Sequence, residues 1–255
     1  MAHSAEAHKG RKYQRRTPPE LCNWWRGPRV EIGPIPWSDT FAYAVGLFAT
    51  DGWITIRSNG YSSMGFSSKD RDLTELFRQC LGLTAALRER RRKRWGKIWT
   101  CYEISFSSVR LARWFQDIGI TPRKSLTIGA LKVPYQLFFH TLRGLVDGDG
   151  SIARYTDARG RHCFSIRLYS ASERHLVWVS GVLSDRLGVT GSLVKIRRKK
   201  TKKKRKVLGR QPVNQLAYAR EASRTIASCL YADPSAPRLD RKWIRWMAEE
   251  RSGRF

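Results

Sequence analysis

Two stretches of the chain carry more apolar positions than a single helix face needs. FAYAVGLFATDG (41–52) and FFHTLRGLVDGDG (138–150) are too dense in apolar positions for surface helices, so both are expected to be buried, each ending at an acidic residue. After each helix the period shortens to two. WITIR, the turn signal Asn59-Gly60 and YSSMGFS predict one hairpin, and SIARY, a longer loop through Gly160 and HCFSIRLYS predict another. Helical stretches follow at Asp72 to Leu81 and Glu173 to Leu187. Next come second hairpins ending in IWTCYEISFSS and VNQLAYARE, then short helices at Val109 to Ile118 and Ser223 to Leu230.

The grammar αββαββα therefore occurs twice, and so do the residues. AVGLFATDG recurs as LRGLVDGDG, with Gly46/Gly144, Leu47/Leu145, Asp51/Asp149 and Gly52/Gly150 all 98 positions apart. Beyond it, GFSSKDRDLTELFRQCLGL is echoed by RLYSASERHLVWVSGVLSDRLGV, the offset drifting upward as small loop insertions require. The division that follows is an N-terminal basic and aromatic extension (1–40), two halves (41–132 and 133–232) and a basic C-terminal helix or tail (233–255). The tail's Trp243, Trp246 and Met247 share a helix face and read as a packing stripe.

Charge narrows the partner. The 255 residues hold 49 Lys plus Arg against 21 Asp plus Glu, a formal charge of +28 that repels itself unless a polyanion neutralises it. No long apolar span or basic amphipathic helix points to a membrane. The five cysteines show neither a CxxC pair nor zinc spacing, which fits a reducing interior, and MAHSAEAHKGRKYQRR lacks the apolar run of a secretory signal. The expectation is an intracellular protein, in cytoplasm, nucleoid or an organelle, with this arm touching nucleic acid.

One Asp-Gly dipeptide ordinarily just closes a helix. Two in register, each opening an αββ unit in a strongly basic chain, resemble the LAGLIDADG motif of homing endonucleases of the single-chain, two-motif type. The resemblance spans most of 41–232. It implies an α+β fold in which pseudo-twofold αββαββα halves form an antiparallel β saddle, with the two motif helices packed at the centre. Small residues suit that crossing: Gly46 and Gly144 at the helix interface, Thr50 and Gly148 just before the aspartates. The resemblance further implies that Asp51 and Asp149 are catalytic and hold metal, beside Thr50, Gly52, Gly148 and Gly150. Carboxylates at helix C-termini are disfavoured by the dipole and by each other, and hard oxygen donors suit Mg2+, with Mn2+ as alternative and Ca2+ supporting binding without cleavage. Lys69, Arg167 and Arg220 lie near the strand ends where such sites carry basic groups. Asp147 has Ala49 as its counterpart and reads as a packing or capping residue. Arg143 departs from the motif and is expected to point to solvent or DNA.

Alternation sorts the strands. Ile54, Ile56, Met64, Phe66, Ile104, Phe106, Phe164, Ile166, Leu168, Leu216 and Tyr218 are expected on the helix-packed face. Trp53, Thr55, Arg57, Ser63, Glu103, Ser151, Tyr155, Ser165, Arg167, Tyr169 and Gln215 are expected to face a duplex in its major groove, their base preferences left open. The basic tips Arg90, Arg91, Arg92, Lys93, Arg94 and Lys97, and Arg197, Arg198, Lys199, Lys200, Lys202, Lys203 and Lys204, would hold phosphates. The string KKKRKV also resembles a nuclear-localisation signal, but it reads here as hairpin. The function implied is metal-dependent cutting of a long, pseudo-palindromic double-stranded DNA site by a monomer. The alternatives are an intron maturase whose partner is intron RNA, and a DNA-binding protein of the same fold without catalysis. The retained pair of acids favours the nuclease.

Overall fold

The computed structural model describes residues 37–56, 62–94, 96–196 and 213–252. Arg57, the hairpin tip carrying Arg197, Arg198, Lys199, Lys200, Lys202, Lys203 and Lys204, and the N-terminal arm lie outside the described residues. The first half runs α1 (Asp39–Asp51), β1 (Gly52–Ile56), β2 (Ser62–Ser68), α2 (Arg71–Cys80), β3 (Arg88–Arg94), β4 (Lys97–Phe106) and α3 (Val109–Asp117). The second runs α4 (Phe138–Asp149), β5 (Ser151–Thr156), β6 (His162–Ser170), α5 (Glu173–Leu187), β7 (Ser192–Ile196), β8 (Val213–Ala219) and α6 (Arg220–Leu230), followed by α7 (Asp240–Glu250).

Each half forms a four-stranded antiparallel sheet, in the orders β1-β2-β4-β3 and β5-β6-β8-β7. This is the duplicated α+β architecture implied by the repeat. Three helices of the first half start at side-chain caps: the Ser38 hydroxyl accepts from the Phe41 amide at 3.1 Å, Asp70 from Asp72 at 3.2 Å, and Ser108 from Leu111 at 3.1 Å. The core of that half is an aromatic stack in which Phe48 lies on Phe115 with ring centroids 4.1 Å apart and Phe66 on Phe77 at 4.5 Å.

The expected helix-packed face is buried at Ile54, Met64, Phe66, Ile104, Phe164, Ile166, Leu168, Leu216 and Tyr218. Ile56 departs from it: at the end of β1, past the helices, it is 44% exposed. The C-terminal helix α7 packs on the second sheet, with Trp246 buried against Phe164 at 5.9 Å and Arg245 donating to the Ile152 carbonyl at 2.8 Å. Its Glu249 is buried and accepts from Arg154 at 3.1 Å and from Arg224 at 2.6 Å. No described helix is long and apolar enough to cross a membrane.

Candidate active site at the helix crossing

Helices α1 and α4 cross backbone against backbone, and glycine permits it. A Cβ on Gly46 would stand 2.9 Å from the Gly144 Cα, and one on Gly144 would stand 2.8 Å from the Leu47 amide nitrogen, both inside hard-contact distance. One turn later Gly148 lies on the side chain of Thr50, whose hydroxyl is turned back to donate to the Leu47 carbonyl at 2.7 Å. The next residue of each helix is an aspartate, so the crossing delivers Asp51 and Asp149 to one place. Asp149 is exposed and Asp51 half-buried. Burial and the Asp149 charge push the Asp51 carboxyl from its ordinary 3.8 to about 7, and burial also raises Asp149.

Two negative helix ends and two carboxylates make a concentration of negative charge, and two buried lysines answer it. Lys124 lies in a short 3-10 turn at Lys124–Leu126. Its ammonium donates to the carbonyls of Thr50 at 3.1 Å and Gly52 at 2.5 Å, clamping the end of α1. Lys242 of α7 does the same for α4, donating to Val146 at 2.5 Å, Asp147 at 2.8 Å and Gly150 at 2.9 Å. Burial lowers each lysine to about 8; the aspartates Asp51 and Asp149 oppose the shift in both, and for Lys242 Asp147 opposes it most.

The sequence reading missed these lysines. A signal existed in Thr121-Pro122-Arg123-Lys124 and its loose echo Ala236-Pro237-Arg238, which precedes Lys242.

Around the second motif helix lies a buried polar network with no counterpart among the described residues of the first half. Asp147 accepts from the Tyr43 hydroxyl and from the Leu239 amide, both at 2.9 Å. Arg143 is a correction to the sequence reading: it is 2% exposed and faces neither solvent nor DNA. Its guanidinium donates to the carbonyls of Leu230 at 2.6 Å and Pro237 at 2.9 Å and meets His140 at 3.0 Å. The last residue of α6 and the segment that follows it supply acceptors that satisfy the buried charge.

The other candidate residues scatter more widely. Arg167 is half-buried in β6, between Ser151 and Ala217 on the neighbouring strands. Arg220 is exposed at the start of α6 with φ 53°, and Lys69 is exposed with its ammonium 4.3 Å from the centre of the Trp99 ring. A cavity of about 180 Å3 opens beside the centre, lined by Thr50, Lys124, Asp149, Tyr169 and His175 among others.

On the sheet faces away from the helices, Thr55, Arg90 and Tyr155 are exposed, and Trp53, Ser63, Glu103, Ser151, Tyr169 and Gln215 are half-buried. Ser165 is a correction: at 3% exposure it is covered, its strand neighbours being Ala153 and Ala219. Within the basic run, the register sets Arg88 opposite Glu103 and Arg90 opposite Cys101, whereas Arg91 and Lys93 alternate onto the reverse face, Arg91 pairing with Glu89 at 2.8 Å. Arg92, Arg94 and Lys97 belong to the same ladder, as the pairs Arg92↔Trp99 and Arg94↔Lys97.

Among curated protein sequences none matches the chain. Among solved structures, the homing endonuclease I-WcaI bound to its DNA recognition sequence aligns at TM-score 0.55 and 11% identity, over 87% of this chain and 94% of that one. I-DmoI in complex with DNA and Ca aligns at 0.51 and 15%, over 84% and 97%. Full-length DUF199/WhiA from Thermatoga maritima aligns at 0.47 and 15% over 85% of this chain, which spans 63% of its length. The LAGLIDADG-like domain profile matches residues 40–119 and again 139–223, one match on each half and most of the chain together. The chain therefore belongs to the LAGLIDADG family and carries two copies of its domain.

Proposed function

We propose that the chain is a site-specific double-stranded DNA endonuclease of the homing type, hydrolysing one phosphodiester on each strand at a centre made by Asp51 and Asp149. The observation that carries this reading is the pair of motif aspartates brought together by the glycine crossing, each helix end clamped from behind by a buried lysine. The DNA complexes of I-WcaI and I-DmoI, which share the fold, support it.

The donor set fits a hard divalent cation. Among the described residues no cluster of three or more His, Cys, Asp or Glu could hold a metal, so the protein offers two carboxylates and leaves room for phosphate and water. That is the manner in which Mg2+ binds beside phosphates. The carbonyls of Gly52 and Gly150 accept short bonds from ammonium groups, which favours the Gly148 carbonyl as the adjoining oxygen donor, and after it that of Thr50, whose bond from Lys124 is the longer at 3.1 Å. Bound Mg2+, or Mn2+ in its place, would polarise the phosphate oxygens and acidify a water.

The protein's own part is electrostatic and positional. Asp51 and Asp149 are held close enough to raise one another's affinity for positive charge. Lys124 and Lys242 keep the helix ends fixed and neutralise them, so that the carboxylates need not move when a duplex docks. Arg167, whose backbone carbonyl lies near Gly150, would meet negative charge developing on a scissile phosphate, with Arg220 and Lys69 as further candidates for that role. The saddle faces of the two sheets supply base-edge contacts, and the basic hairpins supply phosphate contacts with a steep salt dependence.

Asp51→Asn and Asp149→Asn test the reading. Each is expected to abolish double-strand cleavage in Mg2+ while retaining duplex binding in Ca2+. Undiminished cleavage by both variants overturns it.

A further inference from the structure

The two sheets have matching ladders, so their saddle faces can be compared place by place. Glu103 stands between Ser67 and Arg88 in the first sheet; Gln215 stands between Tyr169 and Val194 in the second. Two residues farther toward the hairpin tip, Arg90 opposite Cys101 corresponds to Ile196 opposite Val213. At equivalent places one half thus offers Arg88, Arg90 and Glu103, and the other Val194, Ile196 and Gln215.

These two sets suit different base pairs. Arginine makes bidentate bonds to guanine and glutamate accepts from the cytosine amino group, whereas glutamine pairs with adenine and apolar side chains meet the thymine methyl. Phosphate binding alone does not account for either set. A carboxylate among the arginines would repel phosphate, and Arg90 is already turned toward Glu103, with Nη2 3.3 Å from Oε1. Val194 is 45% exposed on a strand at the sheet edge and has nothing to give a phosphate. A thymine methyl is the apolar group that a major groove presents to it.

We propose that the two halves read opposite compositions: the β3–β4 hairpin lies over G·C pairs, and the β7–β8 hairpin over A·T pairs. The target departs from its palindrome at those positions, and the departure fixes the direction in which the single chain sits on it. This rests on duplex DNA being the ligand, as argued above, but not on cleavage.

The test is selection of bound duplexes from a randomised library in Ca2+. The expected consensus has G·C at these positions on one flank and A·T on the other. The wild-type selection decides the asymmetry without any variant. Two exchanges then assign the flanks: Arg88→Val with Glu103→Gln should turn the G·C flank toward A·T, and Val194→Arg with Gln215→Glu should do the reverse. Each exchange should change preference by about 5- to 150-fold per base pair, the range of one good bidentate contact. Equal composition on both flanks overturns the proposal, as do exchanges that weaken all sequences evenly, the mark of phosphate contacts. Retention of no duplex at all sinks the DNA reading itself and this inference with it.

Discussion

The first half of the molecule packs around stacked aromatic rings, whereas the second packs largely aliphatic side chains and adds buried polar bonds. Phe48 and Phe66, which stack into the core of the first half, have Val146 and Leu168 at the corresponding places of the second. The second half makes up packing with Trp246 from α7 and adds the Asp147–Tyr43 bond and the Arg143 contacts, where the first half has Ala49 and Val45 in their place. What the halves share is narrower: the glycines at the crossing, the aspartate that follows, and a lysine on the carbonyls of each helix end. The features common to both are those that place two carboxylates side by side. The cores are free to differ because they need only fill space, and under the proposed function the saddle faces would read separate stretches of a target.

Substitutions can turn this comparison into numbers. The largest effect is expected at the lysines. Lys242, 2% exposed, gives all three of its donors to carbonyls near a buried carboxylate, whereas Lys124, 7% exposed, gives two among the described residues. Lys242→Met should cost about 3–5 kcal/mol, because it removes the positive charge beside the buried Asp147 carboxyl and the donor to three carbonyls. Lys124→Met should cost about half as much. Urea unfolding monitored by far-UV circular dichroism measures both, and equal losses would show that the halves are clamped alike. Asp147→Ala falls between the two, at about 2–3 kcal/mol, since it leaves the Tyr43 hydroxyl and the Leu239 amide unpaired in the interior. If the bond to Tyr43 is the chief element, Tyr43→Phe in the Asp147→Ala background should add little, and a double-mutant cycle reads the difference.

Much of this architecture was legible beforehand because it depends on local periodicity. The helix at Glu173–Leu187 falls where its pattern predicts, and the hairpins pair in the register that alternation demands. Asp51, Asp149, Gly46 and Gly144 stood out because they recur at one spacing. Lys124 and Lys242 did not, for two reasons. They are two cations in a chain with 49 Lys and Arg, and the segment carrying the second has extra residues between Pro237-Arg238 and the lysine, which blurs the repeat. Arg143 was misread for a related reason. A charged residue in an apolar helix points outward unless acceptors reach it, and the acceptors here, Leu230 and Pro237, are about ninety residues away in sequence. Ser165 was taken for a surface residue because alternation gives the face of a side chain but not whether its neighbours cover it.

The smallest effect expected is on pH dependence, and it isolates the feature that the halves build together. In the folded chain the Asp51 carboxyl keeps its proton up to about pH 7, whereas once unfolded it ionises near its ordinary 3.8. Between those values the folded state holds more protons, so raising the pH through this window favours unfolding. Without divalent cations, stability should therefore fall by about 1–2 kcal/mol from pH 4 to pH 7 on account of this centre, the partial solvent access of Asp51 holding the figure below the full shift. Asp51→Asn should remove that component of the decline, and Asp149→Asn should shrink it, because burial keeps the Asp51 proton with the Asp149 charge as the second cause. Ca2+ at pH 7 should restore the loss in the wild type and in neither variant, since a cation binds the ionised folded pair and not the separated side chains of the unfolded chain. A stability profile that is flat over this window in all three proteins, with or without Ca2+, would mean that the aspartates do not sense each other across the crossing.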